Sequence, residues 1–293
     1  MFITTGITTS KMKRIAIQGD IGSFHDIAAH QYFGNQQIQL ICCSTFEQVF
    51  ENIRRDPTAI GMLAIENTIA GSLLHNYELL RDSETTIVGE HKLRITHSLC
   101  CLPDDDWSTI NEVHSHPVAL MQCRGFLANH PDMKAVEAHD TAGAAKYIAQ
   151  HQCRGWAAIC NTAAAKIYGM KVLQEGIEDN KHNFTRFLVT SHVNKADFLR
   201  PIDRVNKASL VFALPHEEGS LSQVLSILSF YKMNLTKIQS LPIIGHEWEY
   251  MFYVDVTFDN LTRYRQSIDA IMPLTRELKV LGEYQDDGKQ PIQ

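Results

Sequence analysis

The stretch "NKHNFTRFLVT", Asn180 to Thr190, sets a hydroxyl and a guanidinium side by side, Thr185 and Arg186, where polar residues give way to an apolar run. A guanidinium is a planar fork that matches a carboxylate bidentately, and a hydroxyl fixed by its neighbours is a donor for developing negative charge. A strand sends alternate side chains to opposite faces, so Thr185 and Phe187 share one face while Arg186 and Leu188 share the other. Arg186 then has either an acidic ligand to grip or a structural partner to hold, and residue type leaves both open. A second group, Glu66-Asn67-Thr68, follows the apolar strand "IGMLAI", at the carboxyl end where open α/β sheets place ligands. Asn67-Thr68 also fits a helix cap or a turn. Glu66 beside an anionic ligand has to be protonated or paired, for instance by orienting Arg186.

Three further segments present polar groups at the starts of helices. "SHPVALMQ" reads as a helix start with Ser115 or His116 at the cap and Pro117 in the first turn, which puts Gln122 about one and a half turns in. His116 reads as local structure rather than as an acid. Ser23 follows two glycines in "GDIGSF", a loop able to offer backbone N–H groups and a hydroxyl to an anion. Thr141 opens "TAGAAKYIA" behind Asp140, either presenting a helix N-terminus to a carboxylate or capped by Asp140 itself.

The elements that must position these residues alternate strand and helix from Arg14 to about Thr190, the pattern of α/β sheets with covering helices. "RIAIQG" and "IQLICC" read as strands, "FHDIAAHQYF" as a helix, and "STFEQVFENIRR" as a helix with a capping box at Ser44 and Glu47. "HKLRITHSLCCLP" reads as one long crossing strand, after which the alternation restarts with "INEVHS", the helix "PVALMQCRGFLANH", "MKAVEA" and "TAGAAKYIAQH". A return through "KVLQEGI" and "TRFLVT" implies two α/β lobes around a cleft. From His192 to Asn206 periodicity is lost, which predicts a linker. Beyond it "KASLVFAL", "GSLSQVLSILSFYKM", "NLTKIQSLPI", "EWEYMFYVDV", "NLTRYRQSIDAIM" and "TRELKVLG" give β-α-β-β-α-β, the ferredoxin-like order. Its second hairpin turn is "IGHE", with Gly245 supplying the permissive backbone.

Bulk numbers narrow the function classes. At 293 residues two or more cores are expected, and 44% hydrophobic with 20% charged residues is an ordinary globular composition. A net charge of -6 and a pI near 6.1, without a Lys/Arg cluster, argue against nucleic acid as the partner. Seven cysteines without a C-x-x-C spacing suggest neither a disulfide framework nor a zinc site. No metal is expected, and no phosphate loop is found. The opening "MFITTGITTS" lacks the form of a signal peptide and no apolar run approaches the ~18 residues of a bilayer span, so a cytoplasmic protein is expected.

Read together in order, "GDIGSFHDIAA", "GMLAIENTIAGSL", "VHSHPVALMQC", "DTAGAAKYIA" and "NFTRFLV" resemble the monofunctional prephenate dehydratases. "LPHEEGSLSQVL" and "NLTKIQSLPIIGHEWEYMFYVDV" resemble the ACT regulatory domain attached to that family. The resemblance covers nearly the whole chain. It implies an α/β, two-lobed catalytic domain like the periplasmic binding proteins over 13–191, a linker over 192–206, and a ferredoxin-like ACT domain over 207–284. The implied reaction is prephenate to phenylpyruvate, with loss of the C4 hydroxyl and the ring carboxylate, without a cofactor because aromatisation drives it. The resemblance marks Thr185 as the catalytic hydroxyl, assigns Asn67, Ser115 and Gln122 to catalysis, and places Arg186, Ser23, Glu66, Thr68 and Thr141 toward the substrate. His25 stands where the family commonly has Ser or Thr, so no role is carried over from that position.

For the second domain the resemblance implies L-phenylalanine as an allosteric effector bound between ACT domains of a homodimer or homotetramer. The residues concerned are Gly219, Ser220, Leu221, Asn234, Leu235 and the run Gln239-Ser240-Leu241-Pro242, where the family commonly has Glu-Ser-Arg-Pro. Two alternatives stay open at this level. Arogenate dehydratase would run the same reaction on the transaminated substrate, and a non-catalytic amino-acid sensor would share the lobes and the ACT domain without the joint presence of Thr185, Asn67, Ser115 and Gln122.

Overall fold

The computed structural model describes residues 12–199, 204–243, 245 and 249–288. They fall into two compact units, the first of 12–52, 58–62 and 93–183, the second of 53–57, 63–92 and 184–288. The opening "MFITTGITTS", positions 200–203 of the expected linker, and Ile244, His246 and Glu247 of the expected hairpin turn lie outside the described residues. Gly245 itself has φ 85°, the left-handed region that glycine tolerates.

In the first unit β1 (Lys13–Gln18) pairs in parallel with β2 (Ile38–Cys43) and with the start of β3 (Ile60–Asn67). Helix α1 (Phe24–Phe33) connects β1 to β2, and α2 (Phe46–Arg55) follows β2. The capping box expected at Ser44 and Glu47 forms one residue later: Gln48 N donates to Thr45 Oγ1, and Gln48 Oε1 accepts from Ser44 N at 2.9 Å. The unit's other sheet is built from β6 (Ser98–Cys101), β7 (Glu112–Ser115), β8 (Lys134–Glu137), β9 (Trp156–Cys160) and β10 (Lys171–Glu175), in the order β10-β6-β9-β7-β8. Period-two alternation gives this sheet two apolar faces. Leu99, Cys101 and Ile159 pack with Ala119, Cys123 and Phe126 on one side, while Cys100, Ala158 and Cys160 pack with Ala142, Ala145 and Ala165 on the other. The helix expected over "PVALMQCRGFLANH" breaks at Cys123 into α4 (Pro117–Gln122) and α5 (Arg124–Ala128). Helices α6 (Thr141–His151) and α7 (Thr162–Ile167) cover the other face.

In the second unit the strand order is β13-β14-β12-β15-β5-β11-β3, with β4 (Gly71–Ser72) antiparallel to the end of β3. The strands are β5 (Thr85–Arg94), β11 (Phe184–His192), β12 (Lys207–Ala213), β13 (Asn234–Pro242), β14 (Tyr250–Thr257) and β15 (Arg276–Tyr284). The long crossing strand expected over "HKLRITHSLCCLP" is thus two strands, β5 and β6, interrupted before Ser98. Helix α3 (Leu74–Asp82) follows β4, and a short 3-10 helix (Val193–Phe198) follows β11. With α8 (Ser220–Phe230) and α9 (Leu261–Ile271), residues from Lys207 onward run β-α-β-β-α-β. Ala208, Leu210 and Phe212 of β12 and Val254 and Val256 of β14 face Val224, Leu228, Tyr264 and Ile271 of the helices. Alternation sends Lys207, Ser209 and Asp255 to the opposite face, where all three are buried. Gly282 lets β15 approach β5 in parallel at Ile87, since a Cβ there would lie 2.3 Å from the Ile87 carbonyl oxygen.

Candidate active site

Within the second unit the end of β3 and the start of β11 bring Asn67 and Thr185 together. Asn67 Nδ2 donates to Thr185 Oγ1 at 3.0 Å and to the Phe184 carbonyl at 3.1 Å. Its Oδ1 accepts from the backbone N–H groups of Ile69 and Ala70, at 3.0 and 2.9 Å. The amide is therefore fixed at both ends, oxygen into its own turn, as the turn reading of Asn67 expects, and nitrogen onto Thr185. Because Thr185 Oγ accepts from Asn67, its own O–H is left as the donor, and polarisation along such a chain strengthens that donation. Thr68 is used differently. Its backbone N–H and Oγ1 bracket Phe184, donating to the carbonyl at 2.9 Å and accepting from the N–H at 3.0 Å, so it pins β3 to β11.

Arg186 points to the opposite face of β11 and is 6% exposed. Its Nε donates to Glu90 at 2.6 Å, one terminal nitrogen to Asp255 at 2.5 Å and to Glu66 at 3.3 Å, and the other to the Tyr284 hydroxyl at 2.9 Å. The fork is thus filled by the protein's own acids. Lys207 adds to the cluster, bonding Glu90 at 2.8 Å and Asp286 at 3.0 Å, and Ser209 donates to Asp255. Lys237 bonds Glu66 and donates to Ser72 Oγ at 2.9 Å. Burial alone would push the Glu66 and Asp255 carboxyls up. The Lys237 ammonium and Arg186 guanidinium for Glu66, and Arg186 with the Ser209 hydroxyl for Asp255, outweigh burial and hold both below the usual range. Glu66 is accordingly the paired carboxylate that its surroundings require.

In the first unit the expected residues are neutral and deeply buried. Ser115 ends β7 with no exposure, and its Oγ donates to the Ile159 carbonyl at 2.6 Å, so that proton is committed to the protein. His116, not Ser115, caps α4: its Nδ1 accepts from Val118 N, and burial pulls its pKa below the ordinary 6.5. Gln122 ends α4 at 5% exposure, and its Oε1 accepts from His97 Nε2 and Asn183 Nδ2, both at 2.9 Å. His97, between β5 and β6, holds its own backbone N–H on Glu178 at 2.9 Å. Burial lowers the His97 pKa although Gln122 and Glu178 act the other way.

Ser23 caps α1, accepting from Asp26 N, while Asp26 accepts from Gly22 N at 2.7 Å. His25 is buried beside Phe46, and desolvation pushes its pKa down to about 3, so it is neutral at ordinary pH. Thr141 begins α6, but Asp140 is the cap and takes the Gly143 N–H at 2.6 Å. That occupies one of the N-terminal donors. Sequence reasoning passed over His97, Glu90, Lys207, Lys237, Asp255 and Tyr284. A lone aspartate inside the apolar strand "FYVDV" and a lysine opening "KASLVFA" were the available signals, since an ionic side chain in a buried strand demands a partner.

The expected effector residues lie in the second unit. Gly219 caps α8 at φ 82°, Ser220 and Leu221 form the first turn, and Asn234, Leu235 and Gln239 to Pro242 lie along β13, which ends the strand order. Gln239 and Leu241 share the less exposed face of β13 with Lys237, and Ser240 and Pro242 face outward. Among the described residues no group of three or more His, Cys, Asp or Glu is arranged to hold a metal ion, and no helix is long and apolar enough to cross a membrane.

Comparison with known proteins adds a family model described as prephenate dehydratase, which matches residues 15–195. The bifunctional chorismate mutase/prephenate dehydratase of Escherichia coli is 32% identical over 284 residues, covering 95% of this chain and 72% of that protein. Arogenate dehydratase 5 of Arabidopsis thaliana is 35% identical, covering 94% and 68%. Among solved structures, prephenate dehydratase of Arthrobacter aurescens in complex with L-Phe aligns with a TM-score of 0.82 at 27% identity, over 95% of this chain and 91% of that one. A structure described as the quorum quenching acylase GqqA aligns equally well, at 0.82 and 27%, over 94% and 98%.

Proposed function

Because the chain belongs to the prephenate dehydratase family, we propose that its lyase reaction, prephenate to phenylpyruvate, turns on the Thr185 hydroxyl held by Asn67. The C4–O bond breaks as the ring carboxylate leaves as carbon dioxide, and its electrons complete the aromatic ring. One proton is taken up by the departing hydroxide to give water. A threonine hydroxyl is too weak an acid to release a free proton at neutral pH, so its part is to donate a hydrogen bond that strengthens as charge gathers on the leaving oxygen. The carrying observation is the 3.0 Å bond from Asn67 to Thr185, which orients that O–H. The same geometry argues against an acyl-transfer reading, since an amide donating to the hydroxyl supplies no base to activate it.

Gln122, Ser23 and Thr141 are read as further substrate-binding groups, Ser115 as a buried hydroxyl that holds the Ile159 carbonyl, and Arg186 with Glu66 as the pair that steadies Thr185 and Asn67. We read 13–191 as the catalytic domain, 192–206 as the linker and 207–284 as an ACT domain. L-phenylalanine is the proposed effector there, supported by the L-Phe complex of the Arthrobacter relative. Assembly as a homodimer or homotetramer through that domain and a cytoplasmic setting belong to the same proposal. Arogenate is the second substrate reading, favoured by the identity to the Arabidopsis protein. Initial rates with both substrates decide it: a higher kcat/KM on arogenate would replace prephenate in this proposal.

A further inference from the structure

The side of the C-terminal strands turned away from α8 and α9 carries a cross-strand pair whose two members reach the chain neighbours of both Asn67 and Thr185. Lys237 of β13 lies opposite Asp255 of β14 in the sheet register, just after an irregularity between Leu235 and Lys237. Lys237 holds Glu66, which precedes Asn67, and Asp255 holds Arg186, which follows Thr185. Lys237 also donates to Ser72, and Glu66 and Ser72 are themselves facing residues of the β3–β4 hairpin, one step before the facing pair Asn67 and Gly71. A single ammonium therefore ties the two arms of the hairpin together immediately below the turn that presents Asn67. Its Nζ lies over the Tyr77 ring, 5.6 Å from the centroid, and the side chain is 13% exposed. That is a fixed geometry, not the swinging surface lysine that an exposed strand usually carries.

We propose that Lys237 is a positioning residue for the lyase reaction: by clamping Glu66 to Ser72 it sets the Asn67 amide against Thr185. The inference rests on the reading of Asn67 and Thr185 given above. Loss of the ammonium leaves the hairpin its backbone pairing but frees Glu66 to turn toward Arg186 alone, and the Asn67–Thr185 bond loosens with it. Strand β13 also carries Gln239 and Leu241 on the same face, so an amino acid seated on that motif acts on the strand that holds the clamp.

The test is a double-mutant cycle of Lys237→Met with Thr185→Ala, scored on kcat and KM for prephenate in variants whose circular dichroism and melting show a folded chain. Lys237→Met is expected to lower kcat about tenfold with KM little changed, and to have almost no further effect in the Thr185→Ala background. Lys237→Arg should recover most of the rate. Ser72→Ala, which removes only the second arm of the clamp, should lower kcat by about two- to threefold and keeps the question open to measurement even if Lys237→Met fails to fold. A folded Lys237→Met enzyme at the wild-type rate, an effect that multiplies undiminished onto Thr185→Ala, or a Ser72→Ala enzyme with no loss where Lys237→Met cannot be prepared, overturns the clamp. A Thr185→Ala enzyme at the wild-type rate instead overturns the site reading on which the clamp depends. With phenylalanine bound, as followed by calorimetry, the inhibition factor should shrink in Lys237→Met; the same factor as in the wild type removes the link between the motif and the clamp.

Discussion

The polar clusters described in the two compact units are built in opposite ways. In the first, Ser115, Gln122, Asn183 and His97 are uncharged and bond one another or a backbone carbonyl, with Glu178 behind them on the His97 backbone N–H and His97 Nδ1 buried without a hydrogen-bond partner. In the second, Arg186, Lys207 and Lys237 face Glu66, Glu90, Asp255 and Asp286. A neutral network costs little to desolvate and asks only for correct hydrogen bonding. An ionic one is costly to desolvate and holds only while every partner is present. The hydrogen-bonded pair Asn67–Thr185, proposed above as catalytic, stands next to the ionic network, each member flanked in the chain by one of its residues. Positioning in the second unit is therefore electrostatic, and in the first it is a matter of hydrogen-bond satisfaction.

The largest expected effect breaks the ionic side. Arg186→Met leaves three carboxylates facing each other without their shared cation, and should cost about 3–5 kcal/mol of stability by denaturant unfolding. A loss below 1 kcal/mol would mean that the cluster is solvated or protonated, and the contrast between the units would vanish. Thr185→Ala sharpens the functional half of the contrast. It should lower kcat by about 10²–10³, with a smaller change in KM, as expected for a donor used in the transition state. Near-normal turnover would remove Thr185 from the chemistry while leaving the ionic network untouched.

A milder loss is expected on the neutral side. Gln122→Met keeps the volume but removes the acceptor of the His97 Nε2 donor, at about 1–3 kcal/mol for a buried donor without a partner. Smallest, and most diagnostic of the contrast, is the pH response. His25 takes up its proton near 6.5 when unfolded but only near 3 when folded, so the first unit loses stability as pH falls from 6.5 toward 3. The lowered His97 and His116 act in the same direction from the same starting point. Asp286 has its folded pKa held down to about 2 against 3.8, since Glu90 and Lys207 outweigh the cost of its burial. Its contribution is complete above 3.8 and lost only as pH falls toward 2, and the lowered Glu66 and Asp255 share that sign. Residue-resolved amide exchange at about pH 5 should therefore show α1 weakened relative to neutral pH while β12 and β14 are unchanged. Parallel weakening of both units would contradict the assignment of neutral and ionic clusters.

What was legible in the sequence was local. The strand after "NKHN", the turn chemistry of Asn67, the cap of α6 by Asp140 and the β-α-β-β-α-β order all follow from periodicity and residue type over a few positions. The order of motifs gave the family. Where local signals competed, the structure chose. The capping box slid from Ser44 to Thr45, the crossing strand divided, and Cys123 interrupted a helix whose apolar pattern ran on. What tertiary structure alone decided is which partner each buried polar group meets. Arg186 demanded an acid, but Asp255 lies 69 residues away along the chain, and Glu66 and Lys237 are 171 apart. A sequence fixes which face of a strand a side chain takes, because alternation is a property of the backbone. It leaves open what faces that side chain across the sheet, because that depends on how distant strands come together.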